Sequence, residues 1–189
     1  MQTPILKDFP DELETDRLII RSPMPGDGEE KRRAVSESLP SLGPWLHWAR
    51  REPGPEQAEE EVRRARVAFV ERTDLQMLLF HRQSGELVGG SGLHRIEWEI
   101  PKFEIGYWCR GRFEGRGYIT EAVRGIAGFA AAYLDARRLE IRCDARNLRS
   151  ARVAESAGFE LEARLRDAGL TPDGSIGEIL IYSRFPRSP

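Results

Sequence analysis

The stretch "RGRFEGRGYITEAV", residues 110–123, sets three glycines and three arginines in its first eight positions and leads directly into apolar residues at helical spacing. A helix start leaves about four backbone N–H groups without partners and carries a partial positive charge. Phosphate oxygens answer both needs. Gly115 and Gly117 remove side chains that would hold an anion off the backbone, and Arg112 and Arg116 add full charges. The stretch therefore reads as a pyrophosphate seat. A Walker loop needs Lys and then Ser or Thr after its last glycine, and "GYIT" excludes ATP or GTP held in that way. A dinucleotide fold wants a third glycine at position 120, where Thr120 stands. The structural alternative is a tight strand-to-helix turn with solvated arginines.

The elements that must position this loop follow from the hydrophobic period. "DRLIIRSP" reads as a first strand, closed by Pro23, Pro25 and Gly26 before a polar helix over about 26–38. "LPSLGPWLHWARREPGPEQ" holds two tryptophans among helix breakers and reads as an irregular lid. A helix starts near Pro55, with Ala58, Val62, Ala65 and Phe69 on one face. From Leu75 the period changes, and "LQMLLFHR", "QSGE" and "LVGGSGLHRI" make a hairpin with "KFEIGYWC" as third strand. A helix over about 118–135, the strand "RLEIRCDA", and a helix from Ser150 to Ala157 that ends at Gly158 come next. "FELEARLR" and "GEILIYSRF" close the chain around "TPDG", which suits a type I turn. The order implies an α+β (α/β layered) fold, a single domain over 1–189, with about seven strands in a mixed, mostly antiparallel sheet flanked by helices.

Composition sets bounds on partners. With 189 residues and 40% hydrophobic content the chain can bury one sizeable core. A net charge of −2 gives no field that draws nucleic acid or anionic membrane, so direct nucleic-acid binding is not expected and anion binding must be local. Lys7, Lys31 and Lys102 are the only lysines, a bias toward arginine that lowers the weight of any single one. Cys109 and Cys143 lie in apolar strands without metal-ligand spacing, so reduced, buried thiols and no metal are expected. The start "MQTPILKDFPDELETDRLIIR" lacks a basic region followed by an apolar core, and no 18 apolar residues run together, so a cytoplasmic protein is expected.

Arg112-x-x-Gly115-x-Gly117, preceded by "EIGYW" and followed by "YITEAV", resembles the acetyl-coenzyme A motif of the GNAT superfamily of N-acetyltransferases. Asn147, Ser150 and the pair Gly158-Phe159 match a second motif of that family. "ETDRLIIR", "GLHRI", "EIGYW" and Ser150 resemble its RimJ/RimL branch, which acetylates protein N-termini, notably of ribosomal proteins; the likeness covers about residues 14–185. It implies acetyl-CoA as cosubstrate. Its pyrophosphate would lie on the backbone from Arg112 through Gly115, Arg116, Gly117, Tyr118 and Ile119 to Thr120. Its pantetheine would pair with backbone near Trp108 and Arg110 and with Asn147, which alternatively caps the next helix. Homodimers are common in the branch, and the sequence leaves that open.

Acetyl transfer needs a neutral amine, and an α-amino group with a pKa of about 7.7–8.0 requires only a modest base. The leaving thiolate, of acidity near about 8.5, is served by one hydroxyl within reach. The resemblance gives that role to Ser150, since the tyrosine many members carry four residues later is Ala154 here. Ser150 could instead be a helix cap or first-turn serine. The branch's assigned base position is Gly111. Glu104 shares a strand face with Gly106 and Trp108 and is the candidate base, unless it pairs with an arginine as support. His94, at the end of its strand, is the other candidate, with His47 behind it, the alternative for either being a structural hydrogen-bond donor. Trp45 and Trp48 resemble an acceptor-side segment and would anchor a peptide or pack in the core. An acetyl-Cys109 intermediate is disfavoured against direct transfer. The expected activity is acetylation of a protein N-terminal amine; a small-molecule amine or antibiotic acceptor, a non-catalytic acyl-CoA-binding module and a phosphate-binding nucleotide module are the alternatives.

Overall fold

A computed structural model describes residues 3–170 and 174–186. In chain order it holds β1 (Glu12–Glu14), β2 (Leu18–Arg21), α1 (Gly28–Leu42), a 3-10 turn (His47–Arg50), α2 (Pro55–Glu71), β3 (Leu75–His81), β4 (Leu87–Glu97) and β5 (Lys102–Cys109). A 3-10 turn (Gly111–Phe113) leads into α3 (Tyr118–Tyr133), followed by β6 (Arg138–Asp144), α4 (Leu148–Ser156), β7 (Glu160–Leu170) and β8 (Ile176–Arg184). The described strands form one sheet in the order β1-β2-β3-β4-β5-β6-β8-β7.

Three details differ from the sequence reading. The sheet has eight strands rather than about seven, because β1 is three residues long and too short to show alternation. Helix α1 runs past residue 38 and through Pro40 to Leu42; the proline gives up its own N–H bond and crowds the carbonyl four residues back, a cost offset by the packing of α1 on the sheet. Helix α4 begins at Leu148, two residues before Ser150, with Asn147 as its cap. The expected "TPDG" turn falls on residues 171–174, of which 171–173 lie outside the described residues.

Alternation along β5 splits the core between the two faces of the sheet. Phe103 and Ile105 point to the face covered by α3 and α4, with Val123, Ile126 and Leu139. Trp108 points to the other, with Leu78, Leu87 and the α1 residues Ala34 and Val35. Each fully buried side chain of this size stabilises the fold by about 1.5–3 kcal/mol. No helix among the described residues is long and apolar enough to cross a membrane.

The feature that positions the site is the one parallel contact of the sheet. Strands β5 and β6 pair only at Lys102↔Arg138, Phe103↔Leu139 and Glu104↔Glu140. Beyond Glu104, β5 stays with β4 as far as Cys109, and β6 stays with β8 as far as Asp144. The two strands therefore part, and the glycine-rich loop leaves β5 at the mouth of the gap.

Candidate active site

The loop presents a run of unpaired donors. Gly111 N–H donates to Ser38 Oγ (2.9 Å), Phe113 N–H to Arg110 O (2.9 Å) and Glu114 N–H to Gly111 O (3.1 Å). From Gly115 through Arg116, Gly117, Tyr118 and Ile119 to Thr120, no described residue accepts a backbone hydrogen bond. Gly115 and Gly117 adopt φ of +73° and +78°, a left-handed conformation that side-chain-bearing residues rarely hold, and this turns the row into the first turn of α3.

An acid in that first turn could have closed the row, and the sequence places Glu121 there. It is held away. Glu121 accepts from Thr15 Oγ1 (2.6 Å), Arg17 N–H (2.8 Å) and Arg17 Nε (2.6 Å). Burial pushes its pKa up, and these hydrogen bonds from Thr15 and Arg17 outweigh burial, so the net shift is downward. Arg17 also donates to Arg116 O (3.0 Å) and lies 4.3 Å over the Tyr118 ring. Sequence reading missed Arg17, whose contact lies a hundred residues away along the chain and leaves no local pattern.

The arginines of the loop divide. Arg110 is buried, its Nη1 on Glu30 and Nε on Glu37 (2.8 Å each), and its backbone N–H goes to Val88 O (2.8 Å). It fastens α1 to the loop, and its amide hydrogen is spent on β4. Arg112 is balanced by Glu86 (3.1 Å) and Glu37 (3.5 Å). Arg116 is exposed near the Phe113 ring (5.8 Å) and has no acidic partner among the described residues, so it is the loop cation free to meet an anion.

The Arg110–Val88 bond also fixes which backbone groups face the gap. Residues alternate between the two edges of a strand, so Trp108, paired with Gly90, turns its amide toward β4. Ile105, Tyr107 and Cys109 turn theirs toward the gap. The amides of Trp108 and Arg110, where pantetheine contacts are expected, are therefore directed to β4, and those of Tyr107 and Cys109 face the gap.

Ser150 stands beside Tyr107. The Tyr107 hydroxyl lies 2.9 Å from Ser150 Oγ and donates to Ser150 O (3.0 Å), while Ser150 N–H donates to Asn147 Oδ1 (3.1 Å). Asn147 is thus the cap of α4. Burial pushes the Tyr107 pKa above its ordinary value, partly opposed by the Ser150 bond, so the phenol stays protonated. A phenol is present even though position 154 is alanine; it comes from the strand rather than the helix. Cys143 is buried and Cys109 half-buried, and both are free thiols. Burial, with Glu114 adding, pushes the Cys109 pKa up to about 12, which removes it as a thiolate nucleophile.

The opposite face carries the other candidates. Glu104 sits where β5 and β6 part, 3.3 Å from Arg95 and 3.9 Å from Arg142. Burial raises its pKa, and Arg95 and Arg142 offset this only in part, so the net shift is upward. His94 is its cross-strand partner, and Asp74 holds His94 Nδ1 at 2.8 Å. Trp108 is buried on this face, with Trp48 edge-on at 6.0 Å and 52% exposed. His47 Nε2 meets Leu170 O at 3.0 Å, tying the tryptophan-bearing turn to the end of β7. Trp45 is half-buried in the same segment. Among the described residues no cluster of His, Cys, Asp or Glu could hold a metal ion.

Comparison with known proteins agrees with this geometry. The acetyltransferase (GNAT) domain family matches residues 17–160. YdaF of Bacillus subtilis, provisionally named a ribosomal N-acetyltransferase, is 30% identical over 91% of this chain and 93% of its own. The ribosomal-protein-serine acetyltransferase of Escherichia coli is 30% identical over 75% of this chain and 79% of its own. The solved structure of RimL, a ribosomal L7/L12 alpha-N-protein acetyltransferase in complex with coenzyme A, superposes with a TM-score of 0.86 at 22% identity, covering 93% and 97% of the two chains. The chain belongs to the GNAT acetyltransferase family, acyltransferases that take acetyl-CoA as cosubstrate.

Proposed function

We propose that the protein transfers the acetyl group of acetyl-CoA to the N-terminal α-amino group of a protein, a ribosomal protein being the first candidate, by direct attack on the thioester. The observation that carries the reading is the parted β5–β6 pair, with six unpaired N–H groups at its mouth and proton-handling side chains on both faces. The N–H groups of Gly115–Thr120 and Arg116 would hold the diphosphate. The gap-facing amides of Tyr107 and Cys109 would pair with the pantetheine arm, and the Tyr107 N–H would hold the oxyanion. Asn147, occupied as a cap through its oxygen, keeps its amide hydrogens for the same arm. Ser150 would protonate the departing sulfur and regain its proton through Tyr107 or solvent.

Acceptor choice is supported by the names of the two relatives and by the open rim of Trp48 and Leu170, both exposed, which suits an extended peptide better than an enclosed small amine. A cytoplasmic setting accords with the free thiols, and dimer formation is a matter for the same preparation. The test is thiol release from acetyl-CoA across N-terminal peptides of ribosomal proteins and a panel of small amines. Turnover confined to peptides is the expected result. Turnover confined to small amines would reassign the acceptor, and tight CoA binding without turnover on any amine would make the protein a binding module.

A further inference from the structure

The His94 ring lies flat against the sheet at the strand that borders the gap. A Cβ at Gly106 would come within 3.1 Å of its Cδ2 and 3.3 Å of its Nε2, and one at Gly92 within 3.2 Å of its Cε1. Two glycines, adjacent across the β4–β5 ladder, thus leave the space the ring fills. Asp74, in the turn between α2 and β3, accepts from Nδ1 at 2.8 Å. A carboxylate at that nitrogen fixes the proton there and leaves Nε2 with a free lone pair. No described residue bonds to Nε2, and it lies over Gly106, one residue from the gap-facing amide of Tyr107.

We propose that His94 is the base that accepts the proton of the attacking amine, and that Asp74 is the positioning residue that sets its tautomer; this rests on the acetyl-transfer reading above. The nitrogen of the acceptor forms its bond to the thioester carbonyl carbon as the C–S bond breaks. The amine proton passes to Nε2 and on to solvent, and the sulfur takes one from Ser150 on the other face. The charged groups around the ring are Asp74 beneath it, Glu104 across the ladder, Arg95 next in β4 and Arg142 on β6. Glu104 faces Arg95 and Arg142 at the crotch of the gap, so a proton taken there would weaken those ion pairs, whereas His94 Nε2 has no partner among the described residues.

The test uses the whole protein with its best peptide acceptor, with kcat followed against pH and rates referred to neutral amine. His94→Gln is expected to lower kcat about 100-fold with the Kd for CoA unchanged, and to remove one ionisation from the acid limb. Asp74→Asn, which loses the acceptor that fixes the Nδ1 tautomer, should lower kcat about tenfold with KM for the acceptor unchanged, and Asp74→Glu should recover part of the rate. His94→Gly should regain rate when imidazole is added to the medium, which a merely structural role would not produce. Glu104→Gln should lose less than His94→Gln. An unmoved pH profile in His94→Gln, wild-type kcat in Asp74→Asn, or a larger loss in Glu104→Gln would overturn the assignment while leaving acetyl transfer standing. Failure of the unaltered protein to acetylate any amine would overturn both.

Discussion

Replacing Ser150 by alanine separates its chemistry from its structure, because the bonds that hold its backbone do not need the hydroxyl. Ser150 N–H still reaches Asn147 Oδ1 and Ser150 O still accepts from Tyr107, so α4 and its cap persist. What goes is one O–H donor at the sulfur. A hydrogen bond to a charged acceptor contributes about 1.5–3 kcal/mol, and 1.4 kcal/mol is about a factor of ten. The thiolate acquires its charge only as the C–S bond breaks, so the loss falls on kcat and amounts to about 10- to 100-fold. Tyr107→Phe keeps the serine and removes a neutral partner of it worth about 0.5–1.5 kcal/mol, so its loss is about 2- to 10-fold. Thiol release at saturating acetyl-CoA and acceptor measures the first quantity, and calorimetric titration with CoA measures binding. Wild-type kcat in Ser150→Ala, or a loss carried wholly by weaker CoA binding, would remove the serine from the reaction.

Other outcomes follow from the same geometry. Arg110→Ala leaves Glu30 and Glu37 without their buried cation; both acids keep some water contact, so the cost lies at the low end of the buried-pair range, about 3 kcal/mol. At about 2–4 °C per kcal/mol for a chain this size, scanning calorimetry should show Tm lower by about 6–12 °C, and a change under about 2 °C would refute the tie. Arg17→Ala removes the guanidinium that holds Glu121 Oε2 and Arg116 O while the Thr15 and backbone bonds to Oε1 remain, so KM for acetyl-CoA should rise about threefold while saturated kcat changes less than about twofold; an unaltered KM counts against the clamp. The net lowering of the Glu121 pKa contributes stability that is present above the ordinary carboxylate value of about 4.3 and lost as pH falls below it. Glu121→Gln should therefore flatten the acid side of the Tm–pH curve. Cys109, with its thiol pKa pushed up to about 12, should alkylate with iodoacetamide about 100-fold more slowly in the folded protein at pH 7.5 than after unfolding, and rapid labelling would contradict its burial.

Local signals carried most of the architecture. The helices of α2 and α3, the β3–β4 hairpin and the loop from Gly115 to Thr120 were readable because each depends on residues within a few positions of one another. Strand β1 and the extension of α1 through Pro40 were not, the first for want of length and the second because packing overrode a helix breaker. The candidate site was legible where it is made of backbone and obscure where it is made of distant pairs. Composition cannot show that Arg110 would meet Glu30 and Glu37, that Arg17 would draw Glu121 aside, or that Asp74 would come under His94. The direction of the amides along β5 was hidden for a definite reason. Naming "GYW" as the bordering strand leaves open which alternate amides look outward, and only the bond from Arg110 to Val88 decides it.

That parity has a consequence for the chemistry. Neighbouring residues of β5 serve opposite faces: Tyr107 reaches Ser150 on the α4 side, while Glu104 and Gly106 lie with His94 on the α1 side. On the proposed reading, the amine arrives and gives up its proton on one face while the sulfur leaves and gains its proton on the other. A thioester held edge-on in the gap between β5 and β6 presents its carbonyl carbon to both. Neither set could do the other's work, because a base within reach of the sulfur side would deprotonate the thiol it is meant to release. The arrangement depends on register, since a slip of one residue in β5 would carry Tyr107 to the amine side and Gly106 to the helix side. The close fit of Gly106 and Gly92 around the His94 ring opposes that slip, because any side chain brought under the ring would meet it at about 3 Å.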